Sequence, residues 1–327
     1  MRWYHRVMRR AIGTCVGLLL VGLASGDDDR GATATARPSI LVLGTAQDGG
    51  LPHAACSCER CATARRRPDR ARAVASLALL SAATEQAWII DATPDLPTQL
   101  ERLRIARGRP AGAIDRAPID GVLLTHAHFG HVTGLGFLGF EAVHAREIEI
   151  HCSEALAAFL AGSAPWADLV LRRNVVLVPF RPGDRLRLAE DLTVVPFAVP
   201  HRDEHADTVG FRIEGPRHTV LYVPDTDGWE RWDPPLESRL EGVSFALLDG
   251  TFFSTDELPD RGTRSIGHPP IRQTIERLGA RAPSARPRVA FTHLNHSNPA
   301  LDPRSAAARE IRRRGYALVA DGETIPL

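Results

Sequence analysis

Short runs of apolar and β-branched residues recur along the chain, most of them bounded by Gly, Pro or charged residues. They fall at 39–43, 76–80, 87–90, 121–124, 147–151, 175–180, 192–197, 208–213, 219–223, 243–248, 288–292 and 316–320, and their length and composition predict strands. Helix-like stretches lie at 94–106, 153–160, 235–241, 271–278 and 305–314, the last stopped by Gly315. Helices separated by several strands at a time argue against a plain doubly wound sheet. They predict an α/β (α+β) fold of two mixed β-sheets packed face to face, with helices on the outer faces. Residues 46–65 carry neither signal, and no repeat or interdomain linker follows residue 37.

The amino terminus has a different pattern. Arg2, Arg6, Arg9 and Arg10 precede an apolar run at 11–23, then Ala24, Ser25, Gly26 and three aspartates. Thirteen apolar residues span about 20 Å as a helix, short of a bilayer core, so the order predicts a signal peptide over 1–26 cut after Gly26. An uncleaved anchor is the alternative. Residues 27–37 are small and polar and read as a linker ahead of a folded domain at 38–327. The expected location is the periplasm or the exterior, with no membrane attachment after cleavage.

Composition removes several chemistries. Forty basic residues against thirty-nine acidic ones leave a net charge of +1, no field for nucleic acid. Every basic residue is Arg, so neither a Schiff-base lysine nor a G-K-[ST] phosphate loop is encoded. No G-x-S-x-G elbow and no dinucleotide fingerprint after a strand occurs, which removes the usual serine-hydrolase and NAD readings. The expected partner is a small-molecule substrate; homodimer formation is left open.

What remains is metal chemistry. The predicted strand at 121–124 runs into His126, His128 and His131. Residues i and i+2 of an extended segment point the same way, so His126 and His128 can converge on one cation while a turn at Gly130 presents His131 from another side. His201, Asp225 and His293 each close a predicted strand, and His205 could exchange roles with His201. Five imidazoles and a carboxylate suit Zn, Fe or Mn rather than Ca or Mg. Cys56, Cys58 and Cys61 place three thiols within six residues, a density that fits a metal clamp better than pairing; a disulfide plus a free thiol formed after export is the alternative. Cys152 reads as a small buried hydrophobe, and Asp91 as a scaffold carboxylate at a strand end.

Four stretches carry a resemblance: the Gly49-Gly50 loop leading to C-S-C-E-R-C, I-I-D-A-T-P-D around Asp91, L-L-D-G-T-F around Asp249, and F-T-H-L-N-H-S-N-P-A-L-D at 291–302. With them the chain resembles the metallo-β-lactamase superfamily from residue 43 to 322. Within it the chain is similar to the coenzyme PQQ synthesis protein B family and to the cyclic phosphodiesterases of phosphonate metabolism. The resemblance implies an αββα sandwich, with His126, His128, His201 and Asp225 on one metal and His131, Asp225 and His293 available to a second, Asp225 bridging. The superfamily motif is H-x-H-x-D-H, and Gly130 stands at its acidic position, which leaves occupancy of the second position open; Asp227 and Asp249 are candidates to substitute. The phosphodiesterase likeness further implies a structural zinc on Cys56, Cys58, Cys61 and His296, and an active-site imidazole at His268 that would give a proton to a leaving oxygen. The PQQ family has Asn where His296 stands.

The expectation is a metallohydrolase: zinc, with Mn or Fe as alternatives, lowers the pKa of water from 15.7 toward about 7 for attack on a phosphoester or acyl group. Two alternatives stand beside it, a protein of PQQ formation of the iron-oxygenase type and a non-catalytic metal-binding module. The PQQ family lacks the full histidine cluster and works without an export signal, which sets this chain apart from it.

Overall fold

A computed structural model describes residues 37–110, 112–257, 267–282 and 284–327; the expected signal peptide and residues 27–36 of the expected linker lie outside them. One seven-stranded sheet holds β1 (Ser39–Gly44), β2 (Ser76–Leu80), β3 (Ala87–Ile90), β4 (Gly121–Leu123), β5 (Ile148–Ser153) and β6 (Val175–Phe180), with the carboxy-terminal β14 (Thr324–Pro326) outside β1. The other holds β7 (Leu186–Ala189), β8 (Leu192–Ala198), β9 (Val209–Glu214), β10 (Thr219–Val223), β11 (Phe245–Asp249), β12 (Arg288–Thr292) and β13 (Ala317–Leu318) in the order β13-β12-β11-β10-β9-β8-β7.

The period of two along each strand sorts side chains into layers. Ile40 and Val42 of β1 and Leu77 and Leu79 of β2 join Phe211, Ile213, Val220 and Tyr222 in a core between the sheets. The alternate residues Leu41, Leu43 and Ala78 face outward onto Leu96 and Leu103 of the helix Leu96–Ala106. On the far side Leu221, Val223, Leu248 and Phe291 pack against Ile271, Ile275 and Ile311 of the helices Ile271–Leu278 and Ala306–Arg313. Strands apolar on both faces are therefore sandwich strands, each fully buried large side chain contributing about 1.5–3 kcal/mol.

Two of the four edge strands, β7 and β14, escape sequence reading because they are short and carry polar or proline residues. The expectation of no helix in 46–65 is corrected: Glu59–Arg66 is helical. Only Cys61 and Ala64 of its residues are buried, so it lacks the apolar stripe by which a helix announces itself. Trp166–Leu171 is a second unpredicted helix.

Strand direction decides where chemistry can gather. In the first sheet β3, β4, β5 and β6 run parallel, and in the second β10, β11, β12 and β13 do. The carboxyl ends of both parallel sets lead into Asp91, Thr125-His126, Asp225, Asp249 and His293, so short connections deliver all five to one edge of the sandwich.

Candidate metal centre

His126 and His128 follow β4, and His201 and Asp225 follow β8 and β10. One atom from each of these four lies within 4.8 Å of the others. His128 Nδ1 stands 3.0 Å from His126 Nε2 and 3.2 Å from His201 Nε2. Asp225 Oδ2 is 3.5 Å from His126 Nε2, and Oδ1 is 3.3 Å from His201 Nε2. His205 is elsewhere, stacked on Phe159 at 5.0 Å, so His201 is the imidazole that reaches the cluster.

The far side of each ring explains why these nitrogens can crowd. His126 Nδ1 donates to Thr125 Oγ1 (2.9 Å), which itself donates to Asp91. His201 Nδ1 donates to Asp227 Oδ1 (2.9 Å), and His128 Nε2 to Glu204 Oε2 (3.0 Å). Each ring thus spends its proton outward, and three bare lone pairs meet. Burial, with the neighbouring charge of His131, holds the His126 pKa well below its ordinary value, and burial lowers that of His201 despite Asp225. Neutral imidazoles are what a metal binds, and a tetrahedral ion with bonds of about 2.0–2.1 Å sets its ligands about 3.3 Å apart. The observed spacing of 3.0–3.5 Å fits a transition-metal ion held by His126, His128, His201 and Asp225.

A second cluster adjoins the first through Asp225 Oδ2, 3.9 Å from His131 Nε2 and 3.8 Å from His293 Nε2. Its rings are oriented in the same way: His131 Nδ1 donates to Asp91 Oδ2 (2.8 Å), and His293 Nδ1 to Thr251 Oγ1 (2.9 Å), which donates to Asp249 Oδ1. A carboxylate–threonine–histidine relay therefore stands on each side, Asp91–Thr125–His126 and Asp249–Thr251–His293. Asp91 (φ 67°) and His293 (φ 60°) both adopt left-handed backbone, a strain of order 1–3 kcal/mol that the surrounding bonds hold in place.

The third member is one that sequence reading missed. Asp48, from the loop after β1, places Oδ1 3.5 Å from His131 Nε2 and 3.7 Å from His293 Nε2. Burial alone would raise its pKa, but the two imidazoles outweigh it and hold the carboxyl well below the usual range. Burial likewise opposes the His131 cation, yet Asp91 and Asp48 push its pKa up to about 10. Four carboxylates around these rings form a surplus of negative charge that a cation would neutralise. The expectation that Asp227 or Asp249 replaces the acid missing at 130 is corrected: Asp227 backs His201, and Asp249 accepts from Thr251, Thr226 N–H and His268. Apart from the D-G-G turn, no local signal could have singled out Asp48, because its partners lie more than 80 residues away.

His268 reaches the same edge, with Nδ1 2.8 Å from Asp249 Oδ2 and 3.1 Å from Asp225 Oδ1. His128 and Asp48 are the more exposed members, with side chains 15% and 30% exposed, against 3% or less for His126, His131, His201, Asp225 and His293. Thr125→Val keeps the shape but breaks one relay, and is expected to weaken metal binding by roughly 10–100-fold in a chelator competition while leaving the fold intact.

Cys56, Cys58 and His296 form a separate group. Cys61 stands beside Cys58 and Cys56 and takes the His53 N–H on its sulfur, but it lies outside the set whose atoms are all within 4.8 Å of one another. Cys58 precedes the helix Glu59–Arg66; burial opposes its thiolate, but the Cys61 and Arg60 N–H groups and the neighbouring thiols outweigh it and lower its pKa. Burial pushes Cys61 up to about 11. His296 Nδ1 is buried without a hydrogen-bond partner, so the group fits a metal clamp, and all four cysteines among the described residues are free. Cys152 is fully buried, its thiol pushed up to about 12.

Comparison with known proteins agrees with this architecture. The sequence model of the family described as beta-lactamase superfamily domain matches residues 87–294. Coenzyme PQQ synthesis protein B of Ruegeria pomeroyi is 32% identical over 88% of this chain and 99% of its own length, and that of Xanthomonas campestris pv. campestris 29% over the same shares. Among solved structures, Zn(2+)-bound PqqB from Methylobacterium extorquens superposes with a TM-score of 0.73 at 23% identity, covering 88% of this chain and all of that one. A diphosphatase of the PhnP family superposes at 0.62 with 18% identity, covering 89% and 98%. The matched stretch exceeds half the chain and contains His126, His128, His131, His201, Asp225 and His293, and the chain belongs to the metallo-β-lactamase superfamily.

Proposed function

We propose that the protein is a metal-dependent hydrolase acting on a small phosphoester or acyl substrate. The observation that carries this reading is the meeting of three outward-protonated imidazoles and Asp225 at a buried point, with His128 its most exposed member. A bound transition ion there supplies Lewis acidity and acidified water. The chain's own residues do the rest. Thr125, Asp227 and Glu204 lock the tautomers of His126, His201 and His128, and Asp225 faces both clusters. His268, held through Nδ1 by Asp249, keeps Nε2 as the nitrogen that can give a proton to a leaving oxygen. The amino-terminal pattern supports a periplasmic or extracellular location for this activity.

Protein loaded with zinc or manganese is expected to turn over members of a panel of phosphodiesters, phosphomonoesters and carboxylic esters. His268→Gln should lower kcat by roughly 10²–10⁴ on poor leaving groups and far less on a nitrophenolate, with metal content unchanged. Equal losses on both would remove the proton-donor role. The PQQ synthesis protein B relatives support a second reading, a part in forming that cofactor, which iron content with dioxygen uptake would favour. Stoichiometric metal without turnover of any ester would sink the hydrolytic reading.

A further inference from the structure

The space beside Gly130 is taken by another side chain. A Cβ built on Gly130 would lie 2.2 Å from Asp48 Oδ1 and 2.8 Å from Asp48 Cα, closer than real contacts allow. Residue 130 is glycine here because Asp48 occupies the volume that a side chain at 130 would fill. Asp48 Oδ1, His131 Nε2 and His293 Nε2 are all buried without a hydrogen-bond partner, three orphaned atoms that face one another, and Asp225 Oδ2 lies 3.9 and 3.8 Å from the two imidazoles. Orphans of this kind are costly unless something satisfies them. With Asp225 their chemistry is that of two imidazole nitrogens and two carboxylates, a donor set for a divalent transition cation that would displace the proton of His131.

The loop that carries Asp48 is fixed rather than merely nearby. Gln47 N–H donates to Leu294 O (3.0 Å) and Leu294 N–H to Thr45 O (2.8 Å), while the Asn295 amide bonds to the Gln47 side chain. The backbone presenting Asp48 is thereby sewn to the residues that directly follow His293. The Gly50 N–H closes the turn onto Gln47 O (2.7 Å), with Gly50 itself at φ 68°.

We propose that Asp48 is a ligand of a second cation, bound with His131, His293 and Asp225, and that positions 48 and 130 are alternative anchors for one carboxylate: an acid at one requires a small residue at the other. The proposal deepens the hydrolase reading by completing its second metal position.

The test counts metal, not turnover. Zinc per chain is measured by elemental analysis and by competition with a chromophoric chelator, in wild type and in Asp48→Ala, Asp48→Asn, Gly130→Asp and Asp48→Gly/Gly130→Asp, each checked for native circular dichroism. The cysteine cluster contributes equally to all of them, so differences report the centre. Asp48→Ala and Asp48→Asn are expected to lose one equivalent, or to bind it more weakly by more than the roughly 10–100-fold that an outer-sphere change costs. Gly130→Asp sets two acids in one volume and should lose the same equivalent; the double exchange should regain it. If Asp48→Ala does not fold, the isosteric Asp48→Asn carries the measurement. An unchanged count and affinity in the folded Asp48 variants, or a double exchange that stays one equivalent short, overturns the proposal. A wild type that holds both equivalents and hydrolyses nothing sinks only the hydrolase reading.

Discussion

His126→Ala is expected to empty the metal centre and lower turnover by at least about 10³-fold, because the Lewis-acid contribution it would remove is several kcal/mol. The size of the effect follows from the absence, among the described residues, of a substitute nearby. His126 Nε2 is 3.0 Å from His128 Nδ1 and 3.5 Å from Asp225 Oδ2, at the junction of the two clusters. The nearest imidazole, His131 at 4.1 Å between ring centres, is tied through Nδ1 to Asp91 and cannot swing across. Truncation also leaves Thr125 Oγ1 without its His126 partner while Asp91 continues to hold it, so the pocket does not rearrange to supply another nitrogen. Elemental analysis beside the ester panel reads both consequences. Full metal and full activity in this variant would mean that the centre described here is not the site.

Cys58→Ser is expected to act on stability instead. The loop around Cys56 and Cys58 packs against His296, three residues beyond His293, and Arg60 donates to the carbonyls of His296 (3.2 Å) and Ser297 (2.7 Å). Arg65 ties the Cys56 and His53 carbonyls together as well. These bonds keep the segment native in outline, and zinc binding adds its own free energy to folding. Weakening that binding about a thousandfold removes about 4 kcal/mol at saturating zinc. Added zinc should therefore raise the Tm of wild type by more than that of Cys58→Ser, which keeps only the histidine–aspartate centre to bind it, with activity at the main centre lost only as the fold is. Equal zinc-induced stabilisation in both proteins would show that the cysteines hold no metal.

The two predictions differ in how much of their basis was visible in the chain alone. The strand entering His126 and His128 is local: period two in a buried strand sends both rings to one side, and nothing distant is needed to know it. The twelve predicted strands all occur because each is apolar on both faces or alternates, and burial follows directly from that pattern. The edge strands β7 and β14 and the helix Glu59–Arg66 were hidden because their residues bury too little to leave a period.

His201 against His205 shows where local reading stops, since both lie in H-R-D-E-H and only the path of the chain after β8 turns one toward Asp225 and the other onto Phe159. Asp48 shows it more sharply. A glycine inside a metal motif reads as a missing ligand, and whether another part of the chain fills the gap depends on which loop the folded sandwich sets beside it. By itself, then, the amino-acid order determined the layered sandwich, the metal-binding residue types and most of the imidazoles, because burial and strand period are short-range properties. Tertiary structure alone decided which carboxylate faces His131 and His293, because loops more than 80 residues apart meet only once both sheets have packed.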